Sequence, residues 1–171
     1  MNFQPYIKKM SKEYDVPANL INAVIYKENV MRNLSHSTKD AVGVMIKGDD
    51  SLGVCQIRMS TAGFLDLNID PKEHASKNYK EREFQKSSSL LAQPDRTRYD
   101  YAIELSKPFT NIEYATKYLD YLRDARGGYP DKNTWLSDYN RGLTLEDPPN
   151  EYGKDYEATE KIVNTWLNGD E

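Results

Sequence analysis

The sequence predicts a mainly α-helical fold in a single domain spanning residues 1–171, and three observations carry that expectation. Apolar residues recur three and four positions apart in several separate stretches. A chain of 171 residues is long enough for one compact core and too short for two ordinary ones. The composition, 38% hydrophobic and 29% charged, suits a soluble globular protein, and no apolar run approaches the length of a membrane span.

The elements follow in chain order. Phe3, Tyr6, Ile7, Met10 and Tyr14 lie close to one helical face, so a first scaffold helix is expected there. A second helix should begin near Val16, with Asp15 as N-cap and Pro17 in its first turn. Its buried face is Leu20, Ile21, Val24 and Ile25, and four residues beyond Val24 stands Glu28. A carboxylate thus occupies a position where an apolar residue was due. Burial and the negative end of the helix dipole both disfavour its anion, which is the setting of a general acid that keeps its proton near neutral pH. A glutamate on a helix is more often a solvated surface residue, so this position alone does not assign catalysis.

Residues 29–50 read as a loop with one small β-hairpin at Ala41 to Ile46. Gly53 then precedes a short apolar run interrupted by Gln56, whose amide needs a partner if it enters a wall, and Ser60 and Thr61 open a further helix. Residues 70–98, rich in Lys, Glu, Ser and Gln, read as a helix plus an exposed loop without assigned chemistry. Ile112, Ala115, Tyr118, Leu119 and Leu122 form a stripe from Asn111 to Ala125 that marks a central core helix, ended by Gly127 and Gly128. Thr134–Asn140 reads as a short helix running into a loop through Pro148 and Pro149. A last helix, Tyr152–Leu167, presents Tyr156, Thr159, Ile162, Val163 and Trp166.

Several function classes are disfavoured. A net charge of −4 without a long basic block argues against nucleic acid as the ligand. The lone Cys55 forbids an internal disulfide, and His36 and His74 stand too far apart to form a metal-ligand cluster, so no cofactor is implied. Thirteen tyrosines are many for this length, and a flat apolar face with a polar edge suits sugar rings as well as a half-buried surface.

Four segments, AVIYKEN, SLGVCQIRMSTA, NIEYATKYLDYL and LSDYNRG, resemble in sequence and in order the blocks of the soluble lytic transglycosylase family, relatives of goose-type lysozyme. The resemblance runs from about Val16 to Val163 with a larger gap in the middle. It implies a mainly α, lysozyme-like fold whose substrate cleft binds the glycan strand of peptidoglycan, acting as a monomeric domain without stable membrane insertion. It also implies that Glu28 is the catalytic acid, that Gly53, Gln56 and Ile57 lie near the scissile sugar, and that Tyr139 and Asn140 line the cleft beside Glu28. The chain departs from the family pattern at Asn29, where serine is usual and the amide can still help position Glu28, and at Cys55, Met59 and Ala115. None of these removes a reacting group.

The expected reaction is cleavage of the β-1,4 bond between N-acetylmuramic acid and N-acetylglucosamine, with Glu28 as acid and then as base, leaving a 1,6-anhydromuramic end. A hydrolytic muramidase is the nearest alternative, with Asp49 or Asp50 as the second carboxylate that activates water. These aspartates also read as plain turn residues after Gly48. A glycan-binding virion or secretion component that kept the fold is a third reading. The N-terminus lacks the apolar core of a secretory signal, which points to delivery by a phage virion, to release on lysis, or to a wall-spanning assembly acting in the periplasm or cell wall.

Overall fold

In the computed structural model, which describes residues 2–30 and 51–168, the chain is mainly helical with one two-stranded sheet. Helix α1 (Gln4–Tyr14) ends at Asp15, whose φ of 51° is left-handed and whose backbone N–H closes on the Ser11 carbonyl. Asp15 is therefore the C-cap of α1, where a short polar side chain tolerates positive φ, and not the N-cap expected for the next helix. Helix α2 (Ala18–Val30) starts after Pro17, whose carbonyl accepts the N–H groups of Leu20 (2.9 Å) and Ile21 (3.3 Å). Leu20, Ile21, Ala23 and Val24 are buried, and the same face carries Glu28 inward.

Strands β1 (Ser51–Leu52) and β2 (Ile57–Arg58) form an antiparallel hairpin, with Ser51 opposite Arg58 and Leu52 opposite Ile57. Its connection turns through positive φ at Gly53 (73°) and Gln56 (51°). The hairpin expected at Ala41 to Ile46 lies outside the described residues. Helix α3 (Met59–Asp66) follows the second strand directly and buries Ser60 and Thr61 in its first turn.

The stretch expected as one helix plus a loop instead holds α4 (Pro71–Ala75) and α5 (Tyr79–Ser89). Side-chain caps start both: Asp70 accepts from the Lys72 N–H, and Asn78 and Glu81 cap each other's backbone. Polar residues that looked like loop composition are thus helix starts. Helix α6 (Arg98–Ser106) opens with an equivalent Thr97–Asp100 box. Helix α7 (Pro108–Arg126) buries Ile112, Ala115, Tyr118, Leu119 and Leu122, and α1, α2, α3, α4, α6 and α8 (Lys132–Arg141) all pack on it. Gly127, at φ 74°, closes α7. The single final helix of the sequence reading divides at Asp155 into α9 (Glu151–Lys154), seated on α8, and α10 (Tyr156–Asn168), seated on α2.

Two carboxylates tie the layers together around α7. Asp66 accepts from Arg96 (2.8 Å), Tyr101 (2.8 Å) and Tyr114 (2.9 Å), linking α3, α6 and α7. Asp138, 0% exposed, accepts from Arg126 Nη2 (2.9 Å), Arg126 Nε (3.1 Å), Tyr129 (2.9 Å) and Thr144 (3.1 Å). A buried charge needs this many donors, because its desolvation is otherwise uncompensated. The consequence is that α8 cannot rotate, which fixes the direction of the next residue, Tyr139. No helix among the described residues is long and apolar enough to cross a membrane.

Candidate active site

A cleft of about 460 Å³ opens where the end of α2, the hairpin, α5, α7 and the end of α8 meet. Glu28, Gln56, Ile57, Tyr139 and Asn140, five of the residues singled out in the sequence, line it together. They come from three separated stretches of chain. Glu28 is only 4% exposed, and its Oε1 accepts a hydrogen bond from the Tyr152 hydroxyl (3.0 Å). Tyr152 sits in α9 because Asn150 caps that short helix and Gly153 lies against α8, where a Cβ would overlap the Asn133 carbonyl and the Ser137 hydroxyl. The Lys27 ammonium lies over the Tyr152 ring, 5.3 Å from its centroid, and burial lowers its pKa.

The hairpin connection is held from behind by Asn111, which is 0% exposed. Its Oδ1 accepts from the Cys55 N–H (2.7 Å), while its Nδ2 donates to the carbonyls of Leu52 (2.7 Å) and Leu105 (3.1 Å). Gly53 packs directly on this amide: a Cβ there would stand 2.5 Å from Asn111 Cγ and 2.6 Å from the Leu105 carbonyl. Gly53 therefore shapes the turn from behind the cleft wall. The Cys55 carbonyl in turn accepts from the Tyr139 hydroxyl (2.8 Å), so the hairpin and α8 are joined across the cleft floor. Burial pushes the Tyr139 hydroxyl well above its ordinary pKa, and burial together with nearby Glu28 pushes the Cys55 thiol up. Neither group is an available nucleophile.

Gln56 lines the cleft, and its Nε2 donates to the Gly53 carbonyl (2.9 Å), holding the side chain against its own turn. Asn140 is exposed; its Oδ1 accepts from Asn150 (3.1 Å), while its Nδ2 has no hydrogen-bond partner among the described residues. Asn29 is not among the residues that line the cleft. Its Nδ2 donates to the carbonyls of Ile25 (2.6 Å) and Val54 (2.8 Å), which anchors the end of α2 to the hairpin connection and so positions Glu28 indirectly. Asp49 and Asp50 lie outside the described residues.

Four residues of consequence have no place in the sequence reading of the site. Tyr152 touches Glu28, yet nothing in its neighbourhood marks it apart from the other tyrosines. Asn111 carried a readable signal, since an amide at the head of the Asn111, Ala115, Leu119 and Leu122 stripe breaks an apolar pattern as Glu28 does. Lys86 and Glu83 of α5 line the cleft as an ion pair (2.9 Å), the ammonium 5.6 Å from the Tyr118 ring centroid. Burial works against the Lys86 cation, but Tyr118 and Glu83 beside it outweigh that cost and raise its pKa. Their segment was read as one without chemistry because its composition is that of a solvated helix.

Comparison with protein-family models, with curated proteins and with solved structures gave no match to this chain. The chemistry of the cleft therefore has to carry the functional assignment.

Proposed function

We propose that this chain cleaves the β-1,4 bond between N-acetylmuramic acid and N-acetylglucosamine in peptidoglycan, as a lytic transglycosylase of lysozyme-like fold. One observation carries the reading: a carboxyl group, nine-tenths shielded from water, forms part of the wall of a polar cleft and is held there by a tyrosine hydroxyl. In its protonated form such a carboxyl is able to give its proton to a leaving glycosidic oxygen. The other carboxylate lining the cleft among the described residues, Glu83, is occupied by Lys86.

In this mechanism Glu28 gives its proton to the glycosidic oxygen as positive charge develops on the muramic ring. The C1–O bond breaks, and the carboxylate so formed takes the proton of the muramic C6 hydroxyl while that oxygen bonds to C1. The acid is regenerated, the ring closes as the 1,6-anhydro product, and no water is consumed. The Tyr152 hydroxyl donates to the Glu28 anion between the two halves of the reaction, and the Asn29 amide keeps the end of α2 against the hairpin throughout. Gln56 and Asn140 offer amide groups to the N-acetyl substituents, and the polymer's length supplies orientation through contacts remote from the broken bond.

The test is mass spectrometry of the muropeptides released from purified peptidoglycan. The expected products end in 1,6-anhydromuramic acid and are lighter by one water than reducing-end products. Glu28→Gln should lower the rate on the order of 10²- to 10⁴-fold, the usual contribution of a positioned general acid. Reducing-end products would replace this reading with the hydrolase and make Asp49 and Asp50 the next residues to substitute. Lysis unchanged in Glu28→Gln would remove Glu28 as the acid.

A further inference from the structure

Among the described residues, the lining of the cleft is charged against the sign of the chain. The protein carries a net −4, yet the cleft lining holds Arg58, Lys86 and Arg141 against Glu28 and Glu83. Lys86 is neutralised by Glu83 at 2.9 Å, which leaves the two arginines. Arg58, at the end of β2, is exposed, and its side chain makes no ion pair or hydrogen bond among the described residues. Arg141, the last residue of α8, is held to the Asp147 carbonyl through Nη2 (3.2 Å) and stands 3.7 Å from the Asp138 carboxylate, which Arg126 already pairs more closely. Its Nε is buried and has no hydrogen-bond partner among the described residues. A buried donor left unpaired carries a desolvation cost, and the remaining guanidinium nitrogens stay available at the cleft edge.

Arg141 and the half-exposed ring of Tyr79 also line a second hollow of about 570 Å³, so the cleft continues past them along the molecule. Positive potential in a cleft with low-dielectric walls is focused there, and on an acidic protein it selects among ligands by charge. An uncharged glycan chain gains nothing from such a site. A glycan bearing carboxylates does.

We propose that Arg58 and Arg141 make the cleft a reader of carboxylates attached to the glycan, so that its substrate is an anionic strand and not the sugar backbone alone. The inference rests on the glycan-cleaving reading of Glu28. Carboxylates of this kind come from the stem peptide, or from the lactyl group of muramic acid once the peptide is removed, and the guanidinium recognises the same chemistry in both.

The experiment compares wild type, Arg58→Gln and Arg58→Glu on stem-bearing peptidoglycan, on amidase-treated strands with free lactyl carboxylates, and on chitin oligosaccharides that carry no carboxylate. Rates are measured over a salt series, and binding is measured in parallel on a Glu28→Gln background. Arg58 is exposed, so both variants are expected to fold. Arg58→Gln should weaken binding and cleavage of an anionic strand roughly two- to fivefold and flatten its salt dependence, as for an exposed charge pair, with a larger loss in Arg58→Glu and no change on chitin. Loss confined to stem-bearing material assigns the peptide as the source, and loss confined to treated strands assigns the lactyl group. Equal loss on chitin, or none on either anionic strand while wild type cleaves them, overturns this proposal alone. A wild-type protein that neither binds nor cleaves any of the three overturns the glycan-cleaving reading as well.

Discussion

Replacing Asn111 with alanine removes three hydrogen bonds at once from a fully buried site. The side chain is 0% exposed and its amide is fully used, with both N–H groups on the Leu52 and Leu105 carbonyls and the oxygen on the Cys55 N–H. Truncation leaves the Cys55 N–H orphaned beneath the hairpin and strips one partner from each carbonyl. With roughly 1–1.5 kcal/mol for each bond and a small cavity added, the expected destabilisation is about 3–5 kcal/mol. A urea m-value of about 2 kcal/mol/M turns this into a midpoint lowered by about 1.5–2.5 M, with m unchanged. Asn111→Asp separates hydrogen bonding from volume. It can still accept from Cys55, but it turns two donor contacts into repulsion between oxygens, so it should be at least as unstable as the alanine variant near pH 7 and regain stability when protonated in acid. Urea titrations of the three proteins at pH 7 and pH 4 decide the matter. A loss below 1 kcal/mol in Asn111→Ala, or an aspartate variant indifferent to pH, would refute the clamp.

Three further outcomes are expected. Gly153→Ala should displace α9 from α8, because its Cβ meets backbone and side-chain oxygen of α8, and the signature is a loss of cleavage that exceeds the loss of stability as Tyr152 leaves Glu28; activity kept in a folded variant would contradict it. Tyr152→Phe removes the hydroxyl that donates to Glu28 Oε1, so cleavage should slow while stability is largely kept; an unchanged rate in the folded variant would detach Tyr152 from the proton transfer. His74 is buried against Phe64 and Tyr121, and burial lowers its pKa although Gln85 bonds its Nδ1 (2.9 Å). The unfolded chain then binds the proton first, so this contribution to stability is present above about pH 6.5 and is lost as the pH falls through the folded value. Urea midpoints at pH 7.5 and 5.5 should differ less in His74→Leu than in wild type, and an equal difference would exclude His74 as the cause.

The helices were legible where periodicity is long and unambiguous. The Ile112 to Leu122 stripe placed α7, and the Leu20 to Ile25 stripe placed α2 and carried Glu28 to its buried position. Boundaries failed where one residue serves two neighbouring elements. Asp15 is a good N-cap by type, but leaving α1 demanded a positive φ at that position and used it there first. The break at Asp155 was equally hidden, because periodicity continues across a turn that Asn150 and Gly153 set by local hydrogen bonding and close packing. Residues 70–98, read as one helix plus a loop, hold two helix starts for a third reason: caps and solvated faces share the composition of loops, so the Asn78–Glu81 cap did not stand out.

The candidate site divides along the same physical line. Of the residues that line the cleft, Glu28 and Gln56 interrupt a local apolar pattern, which can be seen in one dimension, whereas Ile57, Tyr139 and Asn140 were singled out only by the family resemblance. The groups that hold them in place act across the fold: Tyr152 reaches Glu28 over 124 positions, Tyr139 reaches Cys55 over 84, and Asn111 reaches Cys55 over 56. No periodicity encodes a contact of that range. Their arrangement has a mechanical consequence. Asn111 ties the hairpin to α7, Tyr139 ties α8 to the hairpin, and Asn29 ties the end of α2 to the hairpin, so these three walls of the cleft are bonded to the same stretch, Leu52 to Cys55. A change at Asn111 therefore acts on Glu28 and on Tyr139 together, and the double variant Asn111→Ala, Tyr139→Phe should lose less stability than the two single losses added. Strict additivity in that cycle would mean that the hairpin is held at independent points and that the cleft has no common anchor.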